Sequence, residues 1–313
     1  MLKIDELLKY NGSTPMPADF DEYWDEAVAE MKQLDSDVEL IKVLDLPTVE
    51  CFDMYFTGIG GARIHAKFAK PKNITKPTGA IVYFHGYHAN FPEWYRLLVF
   101  AGQGLCVAAM DCRGQAGKSE DKGGVIGNTV TGHIIRGMLE NDPKKLLYRS
   151  IFLDTAQLSN IVMNFDFVDE NKVYSFGGSQ GAGLALACAS LEPRIKKTVA
   201  YCPFLCDFKK AYELHGGAFA EIQDYFVRSD PRHETEEYVF NRLGYIDVSN
   251  LAHRIKAKVK MLTGMLDATC PPLTQFAMYN NLQTEKEYYL YPDYAHADYP
   301  EVFDIALKWF VEE

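Results

Sequence analysis

Apolar residues along this chain follow two rhythms, and the change between them sets out its organisation. Between residues 19 and 34, Phe20, Tyr23, Trp24, Ala27 and Met31 recur every three or four positions. That spacing predicts an amphipathic helix whose stripe packs on the body or on a neighbouring subunit. Residues 39–44 and Val49–Thr57 read as strands, and Gly58-Ile59-Gly60-Gly61 turns the second back into residues 62–69 as a hairpin. From Gly79 onward the apolar runs become continuous: residues 79–84, 105–110, 172–176, Lys197–Tyr201, 258–263 and Lys286–Tyr291. Helical stretches separate them, notably 149–165 and 182–190. Short strands without a polar face alternating with helices predict an α/β fold, with a mostly parallel central sheet covered by helices on both faces. One domain over residues 1–313 is expected, with a helical extension at 1–37, an excursion at 121–148 and an insertion at 206–250. The insertion carries Phe208, Tyr212, Phe219, Tyr225 and Phe226 and is expected to wall or cover a site, with residues 87–94 as the opposite wall.

Candidate chemistry sharpens this picture at one turn. Gly177-Gly178-Ser179-Gln180-Gly181 joins the run 172–176 to the small-residue helix that follows. A serine at the tip of a sharp strand-to-helix turn needs minimal neighbours two residues before and after it, and Gly177 and Gly181 supply them. The helix behind it offers unpaired N–H groups to the same point. Ser179 is therefore the candidate nucleophile. Asp267 stands in the loop after the run 258–263, and His296 follows Lys286–Tyr291. Ser, then Asp, then His, each past the carboxyl end of a strand, is the chain order of the α/β-hydrolase triad, with His296 as base and Asp267 as its orienting carboxylate. Taken singly, Asp267 reads equally as a helix cap and His296 as a loop histidine. Asp247, Asp293 and Asp298 are competing carboxylates, but none follows a buried strand at the required place. For the oxyanion, His85-Gly86-Tyr87-His88 ends the run 79–84, so the expected donors are the backbone N–H groups of Tyr87 and Gln180. His85 and His88 lack further ligands nearby, which favours structural roles over a metal site.

These motifs, together with Asp111-Cys112-Arg113-Gly114-Gln115, Pro17 to Trp24, Gly132 to Gly137 and Tyr148 to Asp154, resemble the acetyl xylan esterase/cephalosporin C deacetylase family of α/β-hydrolases nearly end to end. The chain departs from it in having Ala116 after the RGQ signature, Ala182 after GGSQG, and Ala297 where the family has a glutamate beside the base. The resemblance implies a serine esterase that removes O-acetyl groups from small substrates, acetylated xylo-oligosaccharides or cephalosporin C type esters, through an acetyl-enzyme on Ser179. It implies a small acyl pocket, no cofactor and no metal, and a ring-like homo-hexamer. A peptidase or longer-chain carboxylesterase on the same scaffold is the alternative, and a non-catalytic binding protein fits poorly with an intact Ser179, Asp267 and His296.

Composition narrows the partners. The net charge of −11 speaks against nucleic acid and anionic membranes. No run is long and apolar enough to span a bilayer, and the start lacks a basic segment followed by an apolar stretch. The 7 cysteines show no scaffold spacing and read as reduced thiols of a cytoplasmic protein. Gly117-Lys118-Ser119 hints at a phosphate-binding loop, but the glycine such a loop needs at position 112 is Cys112. The excursion at 121–148, with Val125, Ile126, Ile134, Ile135, Met138 and Leu139, holds more apolar surface than a solvated loop should and is the expected subunit contact.

Overall fold

The structure is a computed structural model that describes residues 3–91, 93–122 and 131–312. Nine strands form one sheet: β1 (Glu39–Asp45), β2 (Val49–Thr57), β3 (Arg63–Pro71), β4 (Thr78–Phe84), β5 (Cys106–Met110), β6 (Val168–Gly178), β7 (Lys197–Tyr201), β8 (Lys258–Gly264) and β9 (Lys286–Tyr291). Their spatial order is β1-β2-β3-β5-β4-β6-β7-β8-β9. The first three strands run antiparallel to their neighbours, and β5 through β9 are parallel. From β4 the chain crosses to β5 on one side and then returns past β4 to β6 on the other. The carboxyl ends of β4 and β6 therefore flank a topological switch point, the crevice where such sheets bind ligands.

Two apolar layers hold the sheet. On one face lies helix Gln180–Leu191, every residue of which is buried, covered in turn by helix Leu147–Met163. Its glycines and alanines let it approach the sheet closely: a Cβ on Gly181 would stand 2.0 Å from the Phe84 carbonyl oxygen. On the other face, Val302, Ala306 and Phe310 of helix Val302–Val311 recur at every fourth position, and Phe310 stacks on Tyr174 at 5.0 Å. That helix has no counterpart among the elements expected from the sequence pattern.

The stripe on helix Phe20–Lys32 buries all five expected residues, and the Trp24 Nε1–H donates to the Tyr245 carbonyl at 3.0 Å. It packs on the body of its own chain. The hairpin turns through Gly60 and Gly61, whose φ values of 70° and 75° suit glycine. No described helix is long and apolar enough to cross a membrane.

Two expectations need correction. Ile134 and Met138 of the excursion are buried in the chain's own core, which takes them out of reach of a neighbour, and Ile135 packs partly against it; Leu139 alone of the described four is well exposed, and Val125 and Ile126 lie outside the described residues. Ile134 and Met138 thus place their apolar surface inside the chain. The insertion folds as helices Phe208–Glu213, Ala220–Ser229 and Glu236–Leu243, and Phe208, Phe219 and Phe226 are buried between them and the body. Tyr212 and Tyr225 pack against the same core. These aromatics form a packing layer, and none lines the cavity beside Ser179.

Candidate active site

Ser179 sits at the elbow between β6 and helix Gln180–Leu191 with φ 55° and ψ −122°, a conformation L-residues rarely adopt. The turn is tight enough that the flanking glycines are required. A Cβ on Gly177 would lie 2.3 Å from the Gly181 carbonyl carbon, and one on Gly178 would enter the Tyr201 ring. The elbow is pinned from behind, where the Ser179 N–H donates to the Tyr201 carbonyl at 3.0 Å and its carbonyl accepts from Phe204 N–H at 3.1 Å.

The three residues expected to act together do meet. His296 Nε2 lies 2.9 Å from Ser179 Oγ, and His296 Nδ1 lies 2.8 Å from Asp267 Oδ2. Asp267 does not cap a helix, because the helix after it begins at Pro272. It is almost wholly buried, and Oδ1 accepts from Thr269 N–H at 2.9 Å and Cys270 N–H at 2.8 Å. A carboxylate is acceptor-only, so Nδ1 must carry a proton toward it, which leaves the Nε2 lone pair to face the serine hydroxyl. Of the competing carboxylates, Asp247 is buried in the insertion, where it accepts from Asp207 N–H and Phe208 N–H. Asp293 is exposed. Asp298 lies in the site itself, accepting from the Tyr201 hydroxyl at 2.9 Å and facing the Arg96 guanidinium at 3.5 Å.

The loop after β4 passes close to the nucleophile at Gly86, where a Cβ would stand 3.9 Å from Ser179 Cβ, and Tyr87 follows it in the chain. Both expected oxyanion residues are tied to one buried polar network. Gln180 Oε1 accepts from Gln115 Nε2 and from the Tyr148 hydroxyl, each at 2.7 Å. Gln115 Oε1 accepts from His88 N–H at 3.0 Å. Gln115 thus couples the peptide after Tyr87 to the residue after Ser179, which is a physical reason for a glutamine in the RGQ signature. Asp111 adds a second staple by accepting from Phe91 N–H at 3.3 Å and Lys118 N–H at 3.0 Å. Arg113 and Asp154 form a buried two-point ion pair that fixes the signature to helix Leu147–Met163. Lys118 pairs with Asp53 and Ser119 donates to the Asp111 carbonyl, so this stretch braces the loop.

The two loop histidines do not converge. His85 Nδ1–H donates to the Gly86 carbonyl at 2.7 Å, and Nε2 accepts from Cys112 N–H at 2.9 Å. Burial pushes His85 below the usual histidine range, which favours the neutral ring this pattern needs. The cavity that opens on Ser179 and His296 has a volume of about 380 Å³. Beyond the triad it is faced by Tyr83, Phe91 and Tyr201 and rimmed by the polar side chains of Asn90, Glu93, Arg96 and Asp298. The sequence gives no local signal for Arg96 or Tyr201, whose shared partner Asp298 lies far along the chain.

A serine hydroxyl facing an imidazole backed by a carboxylate, at the start of a buried helix, is equipped for acyl transfer. Comparison with known proteins agrees. The acetyl xylan esterase (AXE1) family model matches residues 1–312. The structure is similar to that of acetyl xylan esterase 1 from Thermoanaerobacterium sp., with 49% identity, TM-score 0.95, and 99% of this chain and 98% of that chain covered. It is also similar to an acetyl xylan esterase from Paenibacillus sp., with 35% identity, TM-score 0.93 and 99% of each chain covered. In sequence it is 26% identical to the acetyl esterase Axe7A of Xylanibacter ruminicola over 324 residues, spanning 98% of this chain and 69% of that protein. The architecture is the α/β-hydrolase fold.

Proposed function

The chain belongs to the acetyl xylan esterase family and is a serine carboxylic-ester hydrolase, and from that premise we propose that it deacetylates small acetylated xylo-oligosaccharides through an acetyl-enzyme on Ser179. The observation that carries the mechanism is the unbroken line Ser179 Oγ, His296 Nε2, His296 Nδ1, Asp267 Oδ2, with successive contacts of 2.9 and 2.8 Å. Ser179 Oγ attacks the acetyl carbonyl as its proton passes to His296 Nε2. The Tyr87 and Gln180 N–H groups receive the oxyanion. Collapse breaks the bond to the sugar oxygen, which takes the proton from His296 and leaves. Water then gives a proton to His296, adds to the acetyl carbon, and releases acetate as the proton returns to Ser179. Nothing in this cycle calls for a cofactor.

The rim supports a hydroxyl-rich alcohol. Asp298 and Arg96 pair at 3.5 Å, and both stay partly open to solvent with hydrogen-bonding capacity to spare. A vicinal pair of sugar hydroxyls offers a donor to the carboxylate and an acceptor to the guanidinium. Asp298 thereby places a carboxylate one residue beyond the position where Ala297 stands in place of the family's glutamate. The cavity's 380 Å³ lies at the small end for ligand sites, and it must hold acyl group and alcohol together. A longer acyl chain therefore competes with the alcohol for space and shifts the carbonyl off its donors.

The test is a panel of acetyl, butyryl and octanoyl esters beside acetylated xylo-oligosaccharides and cephalosporin C, with fluorophosphonate labelling of Ser179. We expect kcat/KM to fall by about tenfold or more from acetyl to butyryl and further to octanoyl. Equal values for acetyl and octanoyl esters would favour the long-chain alternative.

We further propose that the protein works in the cytoplasm as a homo-oligomer, a hexamer by family resemblance. In support, all 7 cysteines are buried free thiols. Edge strand β1 and the residue before it expose Val38, Leu40, Ile41, Val43 and Leu44 by 38 to 45% each, which gives subunits an apolar edge to share. Light scattering at micromolar concentration should report a mass several times 35.4 kDa, and a single species at the chain mass would refute the assembly.

A further inference from the structure

We propose that Glu221, in the insertion, is a positioning residue that holds the Tyr87 oxyanion donor in register with Ser179. Its carboxylate gathers donors from two other segments. Oε1 accepts from the Tyr87 hydroxyl at 2.5 Å and from Gly132 N–H at 2.7 Å, and Oε2 accepts from Ile134 N–H at 3.1 Å. The Tyr87 oxygen in turn accepts from His133 N–H at 3.1 Å.

Glu221 stands in the first turn of helix Ala220–Ser229, where the helix end favours a negative charge. That helix is anchored by Ile222 and Phe226, both buried, and the preceding Phe219 packs edge-on against Phe204 and Phe208. The carboxylate therefore projects from a fixed element.

Tyr87 has the opposite character. It lies in a loop beyond the end of β4, so no sheet ladder holds its peptide plane. Its backbone is restrained on one side by the His85 ring and on the other by the bond from His88 N–H to Gln115. The side chain supplies the third restraint, running from Tyr87 past Phe204, 5.6 Å away between ring centres, to Glu221. Burial, and then the Glu221 charge, push the Tyr87 phenol far above its ordinary range. It stays protonated and donates. Losing the carboxylate leaves a buried hydroxyl and two backbone N–H groups short of an acceptor, and the ring is then free to swing and take the residue 87 peptide with it.

Since an oxyanion donor acts only within a few tenths of an ångström of its mark, the cost falls on the transition state and spares substrate binding. This inference rests on the assignment of the Tyr87 N–H as an oxyanion donor.

The experiment measures kcat and KM for an acetyl ester, and the rate of Ser179 phosphonylation by a fluorophosphonate, in Glu221→Ala, Glu221→Gln, Tyr87→Phe and the Glu221→Ala/Tyr87→Phe pair. Removal of a whole oxyanion donor costs about 10² to 10³ in kcat, so a displaced donor is expected to cost about 10- to 100-fold in Glu221→Ala, with KM within about threefold. Phosphonylation slows in parallel. Glu221→Gln keeps an oxygen for Tyr87 and Gly132 and recovers most of the rate. Tyr87→Phe leaves Glu221 its two backbone partners yet loses a similar factor, and the double variant loses no more than the worse single one.

Tyr87→Phe within twofold of wild type, a loss confined to KM, or single losses that multiply in the double variant would each overturn the proposal. If Glu221→Ala does not fold, Tyr87→Phe and Glu221→Gln still decide it. A fully active Glu221→Ala beside an inactive Ser179→Ala sinks this inference alone, whereas an active Ser179→Ala sinks the mechanism beneath it.

Discussion

Replacing Ser179 by Ala, or His296 by Ala, is expected to lower turnover of an acetyl ester by about 10⁶-fold, and the double variant should lose little more. Each removes one end of the same 2.9 Å contact. Without Oγ there is no atom to carry the acetyl group. Without the imidazole the hydroxyl proton has no base to receive it, and a protonated serine is a poor nucleophile. Neither change should unfold the protein. Alanine meets the strain at φ 55° as serine does, and the Ser179 backbone bonds to Tyr201 and Phe204 survive it. The His296 side chain is 22% exposed, so its removal opens a space that water fills. Initial rates with an aryl acetate, alongside thermal melting, check this. More than a tenth of wild-type activity in folded Ser179→Ala would remove Ser179 as nucleophile.

The strands that build the sheet were legible because strands buried on both faces are continuous apolar runs with turn residues at their ends. Lys197–Tyr201 falls where the pattern puts it, and Lys286–Tyr291, an edge strand with no buried residue, is marked instead by its tyrosines and leucine. The triad was legible because chain order after successive strands is a topological constraint that sequence records directly. Contacts across the chain left no such trace. Gln115 reaches Gln180 across 65 positions, and Glu221 reaches Tyr87 across 134. Asp298 follows no buried strand, and its place in the cavity depends on Tyr201, which reaches it across 97 positions. Ile134 and Met138 show the limit of hydrophobicity as a signal. Their apolar side chains demanded burial, but composition does not distinguish the chain's own core from a neighbour's surface.

Asp267→Asn should lower turnover by about 10⁴-fold while leaving the fold intact, and the reason lies in which oxygen the amide nitrogen must replace. Oδ1 accepts from two backbone donors, Thr269 N–H at 2.9 Å and Cys270 N–H at 2.8 Å. Oδ2 accepts from His296 Nδ1 and, at 3.3 Å, from Gln275 Nε2. Gln275 cannot turn over to help, because its own oxygen accepts from Thr263 Oγ1 at 2.9 Å while its nitrogen donates to the Cys270 carbonyl at 2.6 Å. An asparagine that placed NH₂ at the Oδ1 position would oppose two backbone N–H groups in a buried site, so the amide settles with NH₂ toward His296. The imidazole then accepts at Nδ1 and carries its proton on Nε2, toward Ser179. A ring in that tautomer has no lone pair for the serine proton. The loss exceeds what removing a charge alone would cause, since the geometry is kept and the proton is misplaced. Steady-state kinetics should show the decrease in kcat with KM little changed, and a proton NMR signal from the His296 ring should lose its Nδ1–H character. A variant within tenfold of wild type would mean that some group other than Asp267 sets the tautomer.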